Sequence, residues 1–248
     1  MSLEGEIRKK ILFMVENSKT KTEYRKPLIG FARADDPLFL KLKEHISENY
    51  LLPCDLLENA RTVISFFIPF SKTVVSSNRG GAVTSQEWLI AYVETNELLS
   101  KISEELISHL KNKGIEAVTV KPTHNFDPNT LISRWSHKHT AYVAGLGTFG
   151  IHHMLITEAG CAGRFGSLII SEEILPSKRP SFDYCLEKRG NNCNYCIDKC
   201  PTSALSAQGF DKPKCYAHLK QISRKFSTLG KCDACGKCAM GPCALAIP

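Results

Sequence analysis

Nine of the eleven cysteines in this 248-residue chain fall from residue 185 onward, in the order Cys185, Cys193-x2-Cys196-x3-Cys200-Pro201, Cys215, and Cys232-x2-Cys235-x2-Cys238-x4-Cys243. Thiolates at such spacings are ligands for soft metals, and this run suits two iron-sulfur clusters. A Cys-x2-Cys turn directs two sulfurs at one cluster, whereas a cysteine followed by proline opens a helix that carries its sulfur to the other, as in two-cluster ferredoxins. Following that crossing pattern, Cys185, Cys193, Cys196 and Cys243 are expected to hold one 4Fe-4S cluster, and Cys200, Cys215, Cys235 and Cys238 the other. The usual spacing would put a ligand at position 190, where the chain has Gly190, and Cys185 is the nearest substitute upstream. Cys232 is the ninth thiol, and pairing it with Cys235 offers an alternative to Cys238. Zinc is the rival metal, since two Cys-x2-Cys knuckles also make a zinc ribbon. It would leave Cys200-Pro201 and Cys215 without a role. Cys54 and Cys161 stand alone in apolar or glycine-rich sequence and read as small buried residues.

The elements that must position these sulfurs read as alternating helices and strands, which predicts an α/β sandwich. Helices are expected over Leu3 to Asn17, from Asp36-Pro37 to about Tyr50, from a Thr84-x-x-Glu87 capping box to Gly114, and over about Asn129 to Ala144. Strands are expected at Leu28 to Ala32, Thr62 to Ile68, Ile115 to Val120, Met154 to Thr157 and Gly166 to Ser171, with a polar loop from Ser71 to Gly81. Prolines and serines between Pro176 and Asp183 mark a boundary. The expected division is an α/β cofactor or substrate domain over 1–178 and a ferredoxin-like domain with two 4Fe-4S clusters over 179–248.

The formal charge of +7 counts every cysteine as neutral. Each cluster with four thiolates carries about −2 when oxidised, so two clusters bring the surplus to about +3. On charge alone, nucleic acid is disfavoured as a partner. No apolar run approaches the length of a membrane span, so no membrane partner is expected. The expected setting is cytoplasmic, where clustered thiols serve metals rather than disulfides.

A second informative stretch runs from Arg134 to Gly150, ending in Gly145, Gly147 and Gly150. These glycines follow a helix and precede a strand, the reverse of a Rossmann fingerprint. Their crowding requires close backbone approach, either to another chain segment or to a flat ligand. His137, His139, His152 and His153 are the polar residues nearest to them.

Ala-Gly-Leu-Gly-x-x-Gly, then Met-Leu-Ile-Thr, then Gly-x-x-x-Arg164-Phe-Gly-Ser-Leu, followed by the cysteine run with its extra Cys215, resembles the epoxyqueuosine reductase family, which shares its fold with corrinoid reductive dehalogenases. The similarity runs from about Thr62 to the end, with specific motifs from Ala144 onward. It implies a nitroreductase-like α/β sandwich holding cobalamin, followed by a ferredoxin-like two-cluster module that delivers electrons to it. An external electron donor of ferredoxin or flavodoxin type and a small-molecule substrate or corrinoid are the partners implied. Gly145, Gly147, Gly150, His152 and Arg164 are the expected cofactor contacts. Family members carry Asp-Ser-x-Pro upstream of the turn, where this chain has Leu131 to Ser133; the nearest acid is Asp127, which with His139 makes the expected catalytic pair. The family's Gly-Lys-Asn is here Gly150-Ile151-His152. The function expected is an iron-sulfur oxidoreductase. The alternative is a noncatalytic electron-transfer or corrinoid-handling protein.

Overall fold

In the computed structural model, which describes residues 1–248, the elements run α1 (Leu3–Glu16), β1 (Leu28–Arg33), α2 (Pro37–Ile46), α3 (Pro53–Leu56), β2 (Thr62–Pro69), α4 (Lys72–Arg79), α5 (Gln86–Lys111) and β3 (Ala117–Thr119). They continue with α6 (His137–Val143), β4 (Gly147–Phe149), β5 (Leu155–Thr157), β6 (Gly163–Ile170), α7 (Tyr195–Asp198), β7 (Leu205–Ser206), β8 (Gly209–Phe210) and α8 (Lys212–Lys225). The main sheet is antiparallel in the order β1-β2-β6-β3.

Strand β2 is buried along its whole length because the sheet is covered on both faces. Its alternate residues divide accordingly. Ile64, Phe66 and Ile68 join Leu168 and Ile170 of β6 under α1 and α5, against Ile7, Ile11, Leu99, Ile102 and Leu106. Val63 points the other way, with Ile169, toward Trp135, Phe39 and Val143. Phe67 stacks on Phe165 on that same side, at a centroid distance of 4.4 Å. Ser167 and its cross-strand partner Ser65 are the polar residues within this layer; at Ser167 the contacts are to other side chains. Its hydroxyl accepts from Trp135 Nε1 at 3.0 Å and meets His137 Nδ1 at 2.8 Å. His137 is buried, and that burial lowers its pKa to about 4.

Three local expectations are corrected. The polar run after Ser71 is the helix α4, whose first turn is capped by Ser71 Oγ accepting from Val74 N. Its β-branched and polar composition hides it. The long helix α5 is capped by Ser85, whose hydroxyl accepts from Trp88 N, and not by Thr84. The helix expected from Asn129 shrinks to α6. Asp127 accepts the amides of Asn129 and Thr130, Leu131 takes a φ of +56°, and these short polar residues hold turns instead.

A third core joins the sandwich to the cysteine-bearing segment. Cys185, Cys232, Ala234, Ala239, Met240 and Ala244 are buried in one cluster with Phe70, Val75, Trp88 and Leu89. The segment carries only the two-residue strands β7 and β8 and no larger sheet. Backbone bonds from Cys161 N to Cys243 O and from Ala162 N to Ala244 O, at 2.9 and 3.1 Å, lay its end along the sandwich. Arg25 clamps the junction, donating to the carbonyls of Phe70, Leu245 and Ala159 at 2.7 to 2.8 Å. No helix is long and apolar enough to cross a membrane.

Candidate functional site

Two adjoining cavities lie at this junction. The smaller is lined by Cys185, Cys193, Cys196 and Cys243, with His152 and Cys238. The larger, about 380 Å³, has Cys200, Cys215, Cys235 and Cys238 on one side and Phe70, Trp88 and Tyr92 of the sandwich on the other. Cys238 and His152 line both.

The short elements of the segment explain how the sulfurs converge. Tyr195 to Asp198, capped by Asn194 and Lys199, form the single turn α7, which carries Cys196, and Cys200 follows before Pro201. Helix α8, with Asp211 as its cap and Pro213 in its first turn, delivers Cys215 to the larger cavity. Gly236, at φ +72°, turns the chain between Cys235 and Cys238; a Cβ there would lie 2.2 Å from the Trp88 ring. Lys237 is buried in this turn, its ammonium donating to the carbonyls of Asn78 and Gly80 at 2.8 and 2.7 Å. Asn78 in turn donates to Cys235 O.

Burial is the largest influence on Cys196, Cys215 and Cys238. It pushes Cys196 up to about 12, assisted by Cys243 and Cys185, and Cys215 up to about 11, assisted by Cys235 and Cys200. Cys238 is raised further by burial and then by Cys235, Cys215, Cys196 and Cys200. Thiols so placed keep their protons unless a cation replaces them. Cys200 and Cys243 are the exceptions: burial raises Cys200, but the amides of Leu205, Thr202 and Ala204 outweigh it and lower that thiol, and Cys243 is lowered as well. The hydrogen bond from Cys161 lowers its pKa most, and burial opposes that; the bond from His152 adds to the lowering. His152, Cys161 and Cys243 are the one His/Cys/Cys group whose ligand atoms all lie within 4.8 Å of one another. Cys232 lines neither cavity; its thiol is buried and meets Phe226 O at 3.5 Å.

Of the residues expected to touch a cofactor, Arg164 and His152 line the larger cavity. Arg164 lies 4.3 Å from the Tyr92 ring centroid and donates through Nε to Asn96 Oδ1 at 3.0 Å. The three glycines face other chain segments instead. A Cβ on Gly145 would lie 2.6 Å from Lys178 O, one on Gly147 1.9 Å from Ile156 O, and one on Gly150 2.6 Å from the His152 ring. Asp127 is an exposed turn cap and lines neither cavity. His139 also lies outside them, against Phe149, with its Nδ1 buried and unpartnered. Burial, then Lys138, hold its pKa down to about 3, so its imidazole is neutral near pH 7 and has no extra proton to give.

The cavity has polar groups that the sequence reading missed. Asp233 accepts from Tyr92 OH at 3.0 Å, and both of its oxygens lie 3.0 Å from His124 Nε2. Tyr92 OH also meets Thr123 Oγ1 at 3.2 Å. Lys138 projects into the cavity, donates to His153 O at 2.8 Å, and is lowered by burial to about 8. The one available signal was the acid inside Cys232-Asp-Ala-Cys235.

No family model matches the chain. It is 26% identical to the curated epoxyqueuosine reductase of Listeria monocytogenes over 239 residues, covering 84% of this chain and 59% of that protein. The chain therefore spans less than two thirds of that relative. The structure of epoxyqueuosine reductase from Streptococcus thermophilus superposes with a TM-score of 0.56 at 21% identity, over 100% of this chain and 68% of that one. An epoxyqueuosine reductase solved with a tRNA-Tyr epoxyqueuosine-modified stem loop gives 0.57 at 19% identity, over 97% and 66%. The catabolic reductive dehalogenase NpRdhA gives 0.57 at 17%, over 89% and 30%. The stem-loop complex overturns the expectation, drawn from net charge, that nucleic acid is a disfavoured partner: a protein of this fold is seen with one. The chain has the mixed α/β sandwich fold of the epoxyqueuosine reductase structures, a fold shared with this reductive dehalogenase.

Proposed function

We propose that this chain is an iron-sulfur oxidoreductase that holds two 4Fe-4S clusters and reduces an acceptor in the cavity beside them. The observation that carries the reading is the grouping of eight cysteines into two quartets on adjoining cavities, with Cys238 on the wall of both. Cys185, Cys193, Cys196 and Cys243 would hold one cluster, and Cys200, Cys215, Cys235 and Cys238 the other. Zinc suits the quartets less well. Tetrahedral Zn–S bonds of about 2.3 Å draw the sulfurs to within roughly 4 Å of each other. Neither quartet is drawn in within 4.8 Å in this way. When bound, the clusters supply single electrons.

The chain's own residues shape the rest. Trp88, Tyr92 and Phe70 give the acceptor apolar walls, while Arg164 and Lys138 present positive charge. The pair Tyr92 and Asp233, backed by His124, holds protons at the cavity wall where reduction would consume them. This replaces Asp127 and His139 in the acid role. The volume is near the lower end of the range for a drug-sized ligand. A whole cobalamin, with corrin ring and nucleotide tail, exceeds it.

The acceptor is proposed to be presented on RNA, by analogy with the stem-loop complex of the same fold. The basic side chains of α8, Lys212, Lys214, Lys220, Arg224 and Lys225, stand beside the cavity-lining Tyr216, His218 and Leu219 and would meet phosphates.

Metal analysis tests the core of the reading. Anaerobic protein is expected to carry about eight iron and eight sulfide per chain; stoichiometric zinc without sulfide would end it. Filter binding of a tRNA stem loop at two salt concentrations tests the partner. Binding is expected at low salt and to weaken steeply as salt rises, and its absence at low salt removes RNA from the proposal.

A further inference from the structure

We propose that His152 and Cys161 are a pair of positioning residues that raise the reduction potential of the cluster on Cys243, a role that rests on the cluster reading above. His152 is only 6% exposed. Its Nδ1 accepts the backbone N–H of Met154 at 3.1 Å, so the ring proton belongs on Nε2. That nitrogen faces Cys243 Sγ at 3.3 Å, which makes the contact an N–H···S hydrogen bond. From another direction the Cys161 thiol meets the same sulfur at 3.8 Å, its single S–H shared with Ala239 O at 3.7 Å. Its backbone N–H donates to Cys243 O at 2.9 Å, which ties the two residues together independently of their sulfurs.

The glycine turn now has a specific task. A Cβ on Gly150 would stand 2.6 Å from His152 Cε1 and 2.9 Å from Nδ1, so the imidazole reaches Cys243 only over a residue without a side chain. Cys161 likewise follows Gly160, which has a φ of +80° and would place a Cβ 2.3 Å from Ala244 O. Both donors thus depend on backbone that other residues would block.

Two donors on one thiolate withdraw negative charge from its sulfur. The reduced cluster carries one more negative charge than the oxidised one, so it gains more from these bonds, and the potential rises. The same three residues are close enough to bind a single metal ion. The hydrogen bonding favours the tuning role, because a metal needs the lone pair of the nitrogen that here bears the proton.

The test compares anaerobic His152→Phe, Cys161→Ala and Gly150→Ala holoproteins with the wild type. Reduction is followed by paramagnetic resonance in a redox titration, with iron and sulfide measured on the same samples. In each variant about eight iron should remain, one midpoint should move to a more negative potential, and the other should stay in place. Gly150→Ala leaves both donors in the chain and only displaces the ring, so it carries the test if the two core substitutions prevent folding. Full cluster content with both midpoints unchanged would overturn the tuning role. A wild type without sulfide defeats the cluster reading itself; one zinc ion, lost in His152→Phe and Cys161→Ala, would then give these residues to a metal ion.

Discussion

Cys238→Ser should cut iron and sulfide from about eight to about four of each per chain. A serine hydroxyl is a poor substitute for thiolate, and Cys238 is the sulfur shared by the walls of both cavities. The damage should extend beyond metal content, because Cys238 sits between Lys237 and Ala239, which are buried against the α4 and α5 side of the molecule. A destabilisation of about 2 to 3 kcal/mol would lower the melting temperature by roughly 4 to 12 °C for a chain of this size. Iron analysis and a thermal scan of the anaerobic variant check both effects. Retention of all eight irons would move the fourth ligand to Cys232, which in the structure is turned toward Phe226 O instead.

Gly147→Val should destabilise the fold by about 3 kcal/mol or more. The sequence reading made this glycine a wall of the cofactor pocket. The structure gives another reason for it, since a Cβ at 147 would fall 1.9 Å from the carbonyl oxygen of Ile156 and 2.7 Å from its carbon. Backbone atoms in a paired strand cannot rotate aside as a flexible side chain would. Gly147 pairs with Thr157 across β4 and β5, and Thr157 closes the Gly160 turn that leads to Cys161. The hairpin must therefore part, and the disturbance reaches the Cys161 contact with Cys243. The midpoint of chemical denaturation measures the loss; a midpoint equal to wild type would show that the β4 and β5 pairing is not as described.

The sandwich was legible in the sequence where burial imposes a period. The run from Thr62 to Ile68 is buried throughout and apolar at every position but Thr62 and Ser65 because both faces of β2 are covered, and the long stripe of α5 appears because one helix face meets the sheet. The grouping of the cysteines followed from turn chemistry, since a thiol before proline and a thiol in a two-residue loop must diverge. Which sulfurs bind iron is the proposal made above. The wall of the larger cavity could not be read in this way. Tyr92, His124 and Asp233 come from three distant segments and form no local pattern, and Tyr92 looks like one more apolar residue of its helix. Asp127 is the acid nearest the motif in sequence, yet its carboxylate is used by the amides of Asn129 and Thr130. His139 was chosen for its nearness to the glycines, and a single turn of α6 places it behind Phe149.

The Arg25 clamp bears on how long such a protein would last when iron is scarce. Its guanidinium is spread over the carbonyls of Phe70, Ala159 and Leu245, so the end of the cysteine segment cannot peel away without stranding a partly buried charge. With a cluster on Cys243 as proposed, loss of that metal would loosen the residue two positions before Leu245. The opening then passes through Arg25 into the edge of the sandwich, where Phe70 adjoins β2. An iron-starved molecule would not persist as an intact but inactive sandwich; it would expose apolar surface from both halves together and become a substrate for proteolysis, so iron supply would set the abundance of the whole chain.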